Sequence, residues 1–588
     1  MKKFLIILFP ILFSQILVSQ YVVKDGSELL NLQKLPQEKI YVHHTASIVF
    51  SGEYIYYKVY CQNAQNNRLS TISSIAYVSL VNESGNIIFE HKVKLENGMA
   101  IGDFFVNTSL PSGNYKLIAY TQWMKNSGLN QLYKGDVVVI NPYLINQTAL
   151  LDSSEIITVE ESDAGADHNL QTVTSNSPKL LEIMTSTAGF SKREKVVLEL
   201  RNYKGKLAYG NYSLLVQKKN NFDNVPYLTA EMYGAQYLKV DKALVKGIGD
   251  SIFLPEQRGE LFYGQVLDRK TGLPTPNQSV TISIPGKQHL LKSALTGDNG
   301  YFYTYIRKDY KIPKAIVQVL DEGDFEINIK KQPPLDFSNI SFSNFRLRKA
   351  YKDDIEKRSV YNQIENNFFT IKPDSILPKD VIDVFDGGIP EVFHLEDYTR
   401  FPTLQETLVE ILNNVGYRSG GDYIRVAQEF EKVTVEYNDY HAIVLIDGVF
   451  IPNHSKIRDF DARLIKTIKV LQDELVLGSK QYQGLVAIET ENGDYSKNYI
   501  NENTSIVNLL LPRIQKKYFK QQYTENSLQE RIPDYREILL WEPNISITEN
   551  NLPIEFFTSD IAGDYEIILE GFTTYGKPIS INKTISVE

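Results

Sequence analysis

Eight histidines, His43, His44, His91, His168, His289, His394, His441 and His454, are the side chains of this 588-residue sequence best suited to metal or proton chemistry. None is spaced as the His-Glu-x-x-His pair that sets two imidazoles on one helix face around zinc. His43 and His44 are adjacent, and neighbouring side chains of a strand point to opposite faces, so the pair is not expected to share an ion. The single cysteine, Cys61, excludes an intramolecular disulfide and a cysteine-rich zinc or iron–sulfur centre, and reads as a small hydrophobe in a strand. The sequence contains no Gly-x-Ser-x-Gly elbow, no P-loop and no dinucleotide fingerprint. Asp298-Asn299-Gly300 carries cation-loop residues, but too few ligands follow at the required spacing, and a tight turn accounts for it. Tyr54, Tyr56, Tyr57 and Tyr60 offer a different chemistry, because aromatic faces stack on sugars. Ordinary strand packing explains the run more simply, with Tyr57 in the core and the others half buried with wet hydroxyls. These residues predict a protein that is not an enzyme and holds no cofactor or metal.

The elements around these residues read as strands. Tyrosine (37) and phenylalanine (28) are abundant, and such residues favour sheets. Ile55, Tyr57 and Val59 alternate with Tyr54, Tyr56, Lys58 and Tyr60, the period of two of a strand with two distinct faces. At roughly 150 residues per domain the length suggests about four domains. The formal charge of −9, with no long basic run, argues against nucleic acid as a partner. Met1-Lys2-Lys3, the apolar run Phe4 to Leu12 and small residues up to Ser19 form a secretory signal, with cleavage expected near Ser19 and Gln20 left first. Pro10 interrupts that run, which falls short of the ~20 residues a membrane span needs. No membrane span is expected elsewhere.

The expected units are a signal peptide (1–19), a β-sandwich (38–141), an acidic linker (151–179), a second β-sandwich (180–255), a compact β unit (259–331), a helical connector (345–398), an α+β unit (399–500) and a C-terminal β-sandwich (501–588). The linker carries Asp152, Glu155, Glu160, Glu161, Asp163 and Asp167 with no Lys or Arg before Lys179. In the connector, Tyr361, Ile364 and Phe368 would form one apolar helix stripe. In the α+β unit, Thr403 and Glu406 form a capping box for a helix running from Leu404 to Val415 and ended by Gly416. Asp447-Gly448 is the turn of a hairpin from Ile443 to Ile451. That hairpin is expected to pair with Leu485–Thr490, with Ile443, Leu445, Leu485 and Ala487 among the core positions.

Three segments resemble known families. Glu38-Lys39-Ile40-Tyr41, Ser51-Gly52-Glu53-Tyr54-Ile55 and Ser112-Gly113-Asn114-Tyr115 through Met124 resemble the macroglobulin-type domain of α2-macroglobulin-like proteins. Gly264 to Asp268, Thr271-Gly272-Leu273-Pro274 and Asp298 to Phe302 resemble a carboxypeptidase-regulatory-like domain. Val444 to Val449 with Gly484 to Thr490 resembles the plug domain of TonB-dependent outer-membrane receptors. The macroglobulin thioester Cys-Gly-Glu-Gln is missing, since Gln62-Asn63-Ala64 follow Cys61. A receptor barrel of ~22 strands at ~10 residues each does not fit into 501–588.

The resemblances imply a mainly β protein of tandem immunoglobulin-like or macroglobulin-like sandwiches with one plug-like α+β domain and no transmembrane barrel. They imply an exported protein, in the periplasm or peripheral to the outer membrane, that scaffolds outer-membrane components such as a TonB-dependent transporter or assembly complex. The alternative is an accessory protein that captures polysaccharide or peptide for such a transporter. Docking would use the loop residues Asp447, Gly448, Gly478, Gln481, Tyr482 and Gly484.

Overall fold

The alternation of residues 54–63 produces a strand that organises the N-terminal half of the protein. The computed structural model describes residues 21–23, 25–45, 47–151, 179–222, 225–237, 246–377, 383–385, 387–417, 421–429, 435–436, 439–498, 503–524 and 532–588. The signal segment and nearly all of the acidic linker lie outside the described residues. The first unit contains β1 (Glu38–His44), β2 (Ile48–Phe50), β3 (Tyr54–Asn63), β4 (Ile75–Asn82), β5 (Ile87–Lys94), β6 (Met99–Phe105), β7 (Gly113–Tyr120) and β8 (Tyr133–Ile140). A three-stranded sheet, β1-β3-β6, faces a five-stranded sheet, β2-β8-β7-β4-β5. Ile55, Tyr57, Val59 and Cys61 enter the core between them, with Val78, Leu80 and Leu117 opposite. Gly102 on β6 is what admits Tyr57, since a Cβ there would lie 2.3 Å from the Tyr57 hydroxyl oxygen.

The next strands are β9 (Leu181–Thr185), β10 (Lys195–Asn202) and β11 (Gly210–Lys218). Then follow β12 (Glu260–Asp268), β13 (Ser279–Ile284), β14 (Leu290–Leu295), β15 (Tyr301–Ile306), β16 (Lys314–Val319) and β17 (Phe325–Ile329). β15-β12-β17 form one sheet of this unit. Asp298-Asn299-Gly300 is a tight turn there, closed by Gly300 N–H donating to the Gly297 carbonyl at 2.8 Å, with Gly300 at φ 70°.

Helix α1 (Lys352–Asn367) differs from its expected packing. It buries Ser359 and Asn362, while Tyr361, Ile364 and Phe368 are only half buried. It packs against carboxylates, so its inner face is polar. Helix α2 (Leu404–Ile411) starts where expected: the Thr403 hydroxyl accepts from Glu406 N–H at 3.2 Å. It ends a turn earlier than expected, and Val415 and Gly416 belong to a short strand, Val415–Tyr417. Leu412 and Val415 join the same core from outside the helix, which is why the helical period runs past the helix end.

The α+β unit contains β18 (Glu391–His394), β19 (Ile443–Ile446), β20 (Val449–Phe450), β21 (Ile465–Leu477) and β22 (Lys480–Thr490), in the sheet order β18-β21-β22-β19-β20. β19 pairs with β22 in parallel, Ile443 opposite Leu485 through Ile446 opposite Ile488. Asp447 (φ 48°) and Gly448 (φ 80°) make the two-residue hairpin turn. Both faces of this sheet are covered. Val444, Ile446, Val486 and Ile488 pack under Leu404 and Leu408 of α2. Ile443, Leu445, Leu485 and Ala487 pack on the other face, against Leu291 and Leu320 of the preceding unit. Beyond it, β23 (Thr504–Asn508) returns to that preceding unit and completes the sheet β14-β13-β16-β23.

The C-terminal strands β24 (Ile538–Ile547), β25 (Asn551–Phe557), β26 (Gly563–Thr573) and β27 (Pro578–Val587) correct the expected domain plan. They do not build a separate sandwich over 501–588, nor does 180–255 build one alone. β25 pairs with β10, and β24 and β26 pair with the two edges of β11. The sheets β9-β10-β25 and β27-β26-β11-β24 enclose one core, in which Leu198, Leu200, Leu214 and Val216 meet Ile545, Ile567 and Leu569. Neither half supplies enough strands to cover its own apolar face. Among the described residues, no helix is long and apolar enough to cross a membrane.

Candidate functional site: an aromatic cleft between two sandwiches

The outward face of β3 carries Tyr54, Tyr56, Lys58 and Tyr60, and the composite sandwich covers its inner half. Tyr60 is fully buried, unlike the wet hydroxyl expected for it, because its hydroxyl lies 3.0 Å from Ser213 Oγ on β11. Lys58 is also fully buried and donates to the carbonyl of Tyr212 at 3.3 Å, to Asn211 and to the carbonyl of Pro543. Burial pulls its ammonium down to about 7. His43 places Nδ1 2.6 Å from Ser213 Oγ. The His44 ring instead meets Tyr227, so the adjacent histidines do diverge.

The outer half of the same face opens into a cavity of about 190 Å³ bounded by β3, α1, the segment 518–519 and β24. Phe369 lies parallel to Tyr54 (6.0 Å between ring centres, 15°), Tyr54 to Tyr56 (5.6 Å, 16°), and Tyr56 to Trp541 (6.4 Å, 24°). Tyr518 meets Tyr56 edge-on at 5.0 Å. Four rings therefore form a row in which each is within 24° of parallel to the next. Among the described residues, none accepts from the buried Trp541 indole Nε1.

Three cations of the cleft, Arg358, Lys372 and Arg536, are engaged with carboxylates. Arg358 donates to Glu53 at 2.7 and 2.8 Å, and its Nε lies 3.0 Å from Glu537. Asn362 donates to the same Glu53 at 2.9 Å. Lys372 pairs with Glu365 at 2.7 Å, and Arg536 grips Asp534 with two bonds of 2.6 and 2.7 Å. Burial raises the Glu537 carboxyl above its ordinary value, with Arg358 opposing and Glu53 adding to the rise. Burial likewise holds the Tyr56 and Tyr518 hydroxyls well above the ordinary phenol range. Phe369 is the most open ring of the row, 43% exposed, while Trp541 is packed beneath Tyr56.

The residues expected to meet a partner are placed differently. The Asp447 carboxylate is buried and accepts from Thr490 N–H (2.8 Å), Thr490 Oγ1 (2.6 Å) and Tyr495 N–H (3.0 Å). Its carbonyl accepts from Gly286 N–H at 2.9 Å. A Cβ on Gly448 would lie 2.3 Å from His289 Cβ, so this turn is shut against the preceding β unit. Tyr482 is buried among Ile443, Leu445 and Phe450, and Gly484 lies beneath Val426. Gly478 and Gln481 alone of the six are exposed, at the tip of the β21–β22 hairpin. The cleft residues Arg358, Asn362, Phe369, Tyr518 and Trp541 escaped sequence reasoning. Tyr54 and Tyr56 carried a signal, but the rings that join them lie hundreds of residues away.

No family model matches the chain, and no curated protein matches it. Among solved structures, the chain is similar to Escherichia coli α-2-macroglobulin in its native conformation, at 9% identity and a TM-score of 0.23, over 97% of this chain and 41% of that one. It is similar to Salmonella α-2-macroglobulin reacted with methylamine at 8% identity and a TM-score of 0.23, over 97% and 40% of the two chains. The Yersinia pseudotuberculosis adhesin InvE matches at 10% identity and a TM-score of 0.13, over 49% and 57%. The chain spans about two fifths of the length of the macroglobulins it matches.

Proposed function

We propose that this chain is an exported, non-enzymatic binding protein of the bacterial envelope that holds a ligand in the aromatic cleft for an outer-membrane component. The observation that supports this reading is the cavity beside the ring row of Phe369, Tyr54, Tyr56 and Trp541, bordered by the paired cations Arg358, Lys372 and Arg536. Export rests on the pattern of residues 1–19. The test is recovery of bound material from detergent-solubilised envelopes, with protein and glycan both identified by mass spectrometry. Tyr54→Ser and Phe369→Ser are expected to lose the bound component while keeping a cooperative melt close to that of the wild type. N-terminal sequencing of the mature protein is expected to begin at or near Gln20. Retention of the component by both cleft variants overturns the reading.

A second reading is docking on an outer-membrane partner through the β21–β22 hairpin. Its support is the exposed tip, where Val476 is 70% exposed beside Gly478 and Gln481. Loss of the partner on Gln481→Glu or Val476→Asp, with the cleft variants still bound, selects this reading.

A further inference from the structure

We infer that a basic cavity between the first sandwich and the compact β unit binds a phosphomonoester. It is a second site, sharing no lining residue with the aromatic cleft. The cavity measures about 460 Å³, inside the range of roughly 300–1,000 Å³ usual for small-molecule sites. One wall is β5, the edge strand of its sheet, and the other is the end of the β12–β15 pair. Pro512 closes it, held beside β5 as Arg513 N–H donates to the Lys92 carbonyl at 2.8 Å.

Charge is the first observation. Lys92, Lys94, Arg258, Arg307 and Lys308 line the cavity with only two carboxylates, Glu260 and Asp309, an excess of three positive charges. The chain as a whole is at −9, so this concentration runs against its average. A concave wall of one sign focuses its field and gathers counter-ions.

The second observation is how the strands bring these cations together. Lys92 and Lys94 are two apart on β5, the spacing of one strand face. Glu260 pairs with Ile306, so Arg258 and Arg307 lie beyond the same end of two neighbouring strands. Both arginines are exposed.

The third is that the carboxylates of the cavity are already engaged by lysines. Lys92 is buried, with Nζ 2.7 Å from Glu260 Oε2 and donating to Tyr310 Oη at 2.6 Å. Tyr310 in turn donates to Glu260 at 2.7 Å, so the three side chains fix one another. Asp309 stands 4.0 Å from Lys94. Among the described residues, neither Arg258 nor Arg307 forms an ion pair.

A guanidinium matches two oxygens of a carboxylate or a phosphate. A carboxylate brings one charge to an excess of three. A phosphomonoester brings about −1.5 to −2 and three strong acceptor oxygens, enough to answer two guanidiniums at once. A nucleic-acid backbone is the competing polyanion, but it needs a basic stripe along a face, and these cations close round a single cavity. A soluble ester and a lipid headgroup present the same phosphate group, and the experiment separates them.

The full mature chain is titrated by calorimetry with glucose 6-phosphate, with glucuronate as its carboxylate counterpart. In parallel it is floated with phosphatidylcholine vesicles doped with phosphatidic acid, with oleate-doped vesicles as the counterpart. At least one phosphate probe is expected to bind saturably, and about tenfold more tightly than its carboxylate counterpart. A response to glucose 6-phosphate identifies a soluble ester; a response to the vesicles alone identifies a headgroup. Arg258→Gln and Arg307→Gln are each expected to weaken the responsive probe about tenfold at unchanged melting temperature. Lys352→Gln, an equal change of charge at an exposed position of α1, is expected to leave it intact. Tyr54→Ser is expected to do the same, which separates this site from the aromatic cleft. Preference for the carboxylate counterparts overturns the phosphomonoester class. Silence towards both phosphate probes, binding unmoved by the arginine variants, or an equal loss on Lys352→Gln overturns the site.

Discussion

Arg358 on α1 clasps Glu53 with two hydrogen bonds of 2.7 and 2.8 Å across 305 residues of sequence. The same guanidinium reaches Glu537 at 3.0 Å, so one cation joins the first sandwich, the helix and the composite sandwich. Burial opposes its charge, and the two glutamates more than restore it, holding the guanidinium above its ordinary range. Removing the cation leaves two carboxylates facing each other with little water to separate them. Arg358→Ala is therefore expected to destabilise the protein by about 3 kcal/mol, in the range for a broken buried pair, measured by urea unfolding. In a Glu53→Gln, Glu537→Gln background the same change is expected to cost much less. An equal cost in both backgrounds would show that packing, not charge, holds the junction.

What the sequence makes legible is local. The Asp447-Gly448 turn needs two consecutive positive φ values, and few dipeptides supply them. The Thr403 cap and the alternation of β3 are equally short-range. The fate of the outward face of β3 is not short-range. Tyr54, Tyr56, Lys58 and Tyr60 have the composition of a wet strand face, and only a sandwich assembled from residues 181–218 and 538–587 dries its inner half. Pairing of Lys195 with Phe557 spans the whole α+β unit, and no residue near either strand announces it. The candidate cleft shares this origin, since Tyr56 and Trp541 come together only once that sandwich has closed.

The interface between the two sandwiches also sets a pH dependence. Burial raises the Glu570 carboxyl to about 8, where it accepts from Tyr41 Oη (3.1 Å), Ala230 N–H (2.8 Å) and Ser580 Oγ (2.7 Å). The folded state thus keeps a proton that the unfolded chain releases near 4.5. The contribution of Glu570 is full below about 4.5 and falls as pH rises towards about 8. His43, His91, His289 and His454 are lowered by burial and contribute in the opposite sense below 6.5. The informative quantity is therefore the difference between wild type and Glu570→Gln. The wild-type advantage in melting temperature is expected to shrink steadily from pH 5 to pH 8, at about 2–4 °C per kcal/mol. A constant difference across that range would contradict a neutral Glu570.

The composite sandwich makes a prediction about fragments. Residues 179–222 present β10 with an unpaired edge and half a core, so alone they are expected to remain unfolded by circular dichroism and proton NMR. Supplied together with 532–588, as separate chains or joined by a flexible linker, they are expected to give dispersed amide resonances and a cooperative melt. The pairings Lys195–Phe557 through Arg201–Asn551 provide the register that would be recovered. Independent folding of either fragment would refute the shared core.

Gly448 tests whether the hairpin turn is an internal contact. Its φ of 80° strains any residue with a side chain, and an added Cβ would lie 2.3 Å from His289 Cβ and 3.2 Å from Gly286 N. Gly205 is the matched control, at φ 53° with no atom within 4 Å of the added Cβ. Gly205→Ala is expected to cost about 1 kcal/mol from backbone strain alone. Gly448→Ala is expected to cost about 2–3 kcal/mol, because the two units must also separate at the turn. The excess belongs to the contact and is expected to diminish in a His289→Gly background, with a coupling of about 1 kcal/mol or more in the double-mutant cycle. A turn held open for an external partner would give equal costs at Gly448 and Gly205 and no coupling to His289. That outcome would return Asp447 and Gly448 to the docking surface, and with them the scaffold reading of the α+β unit.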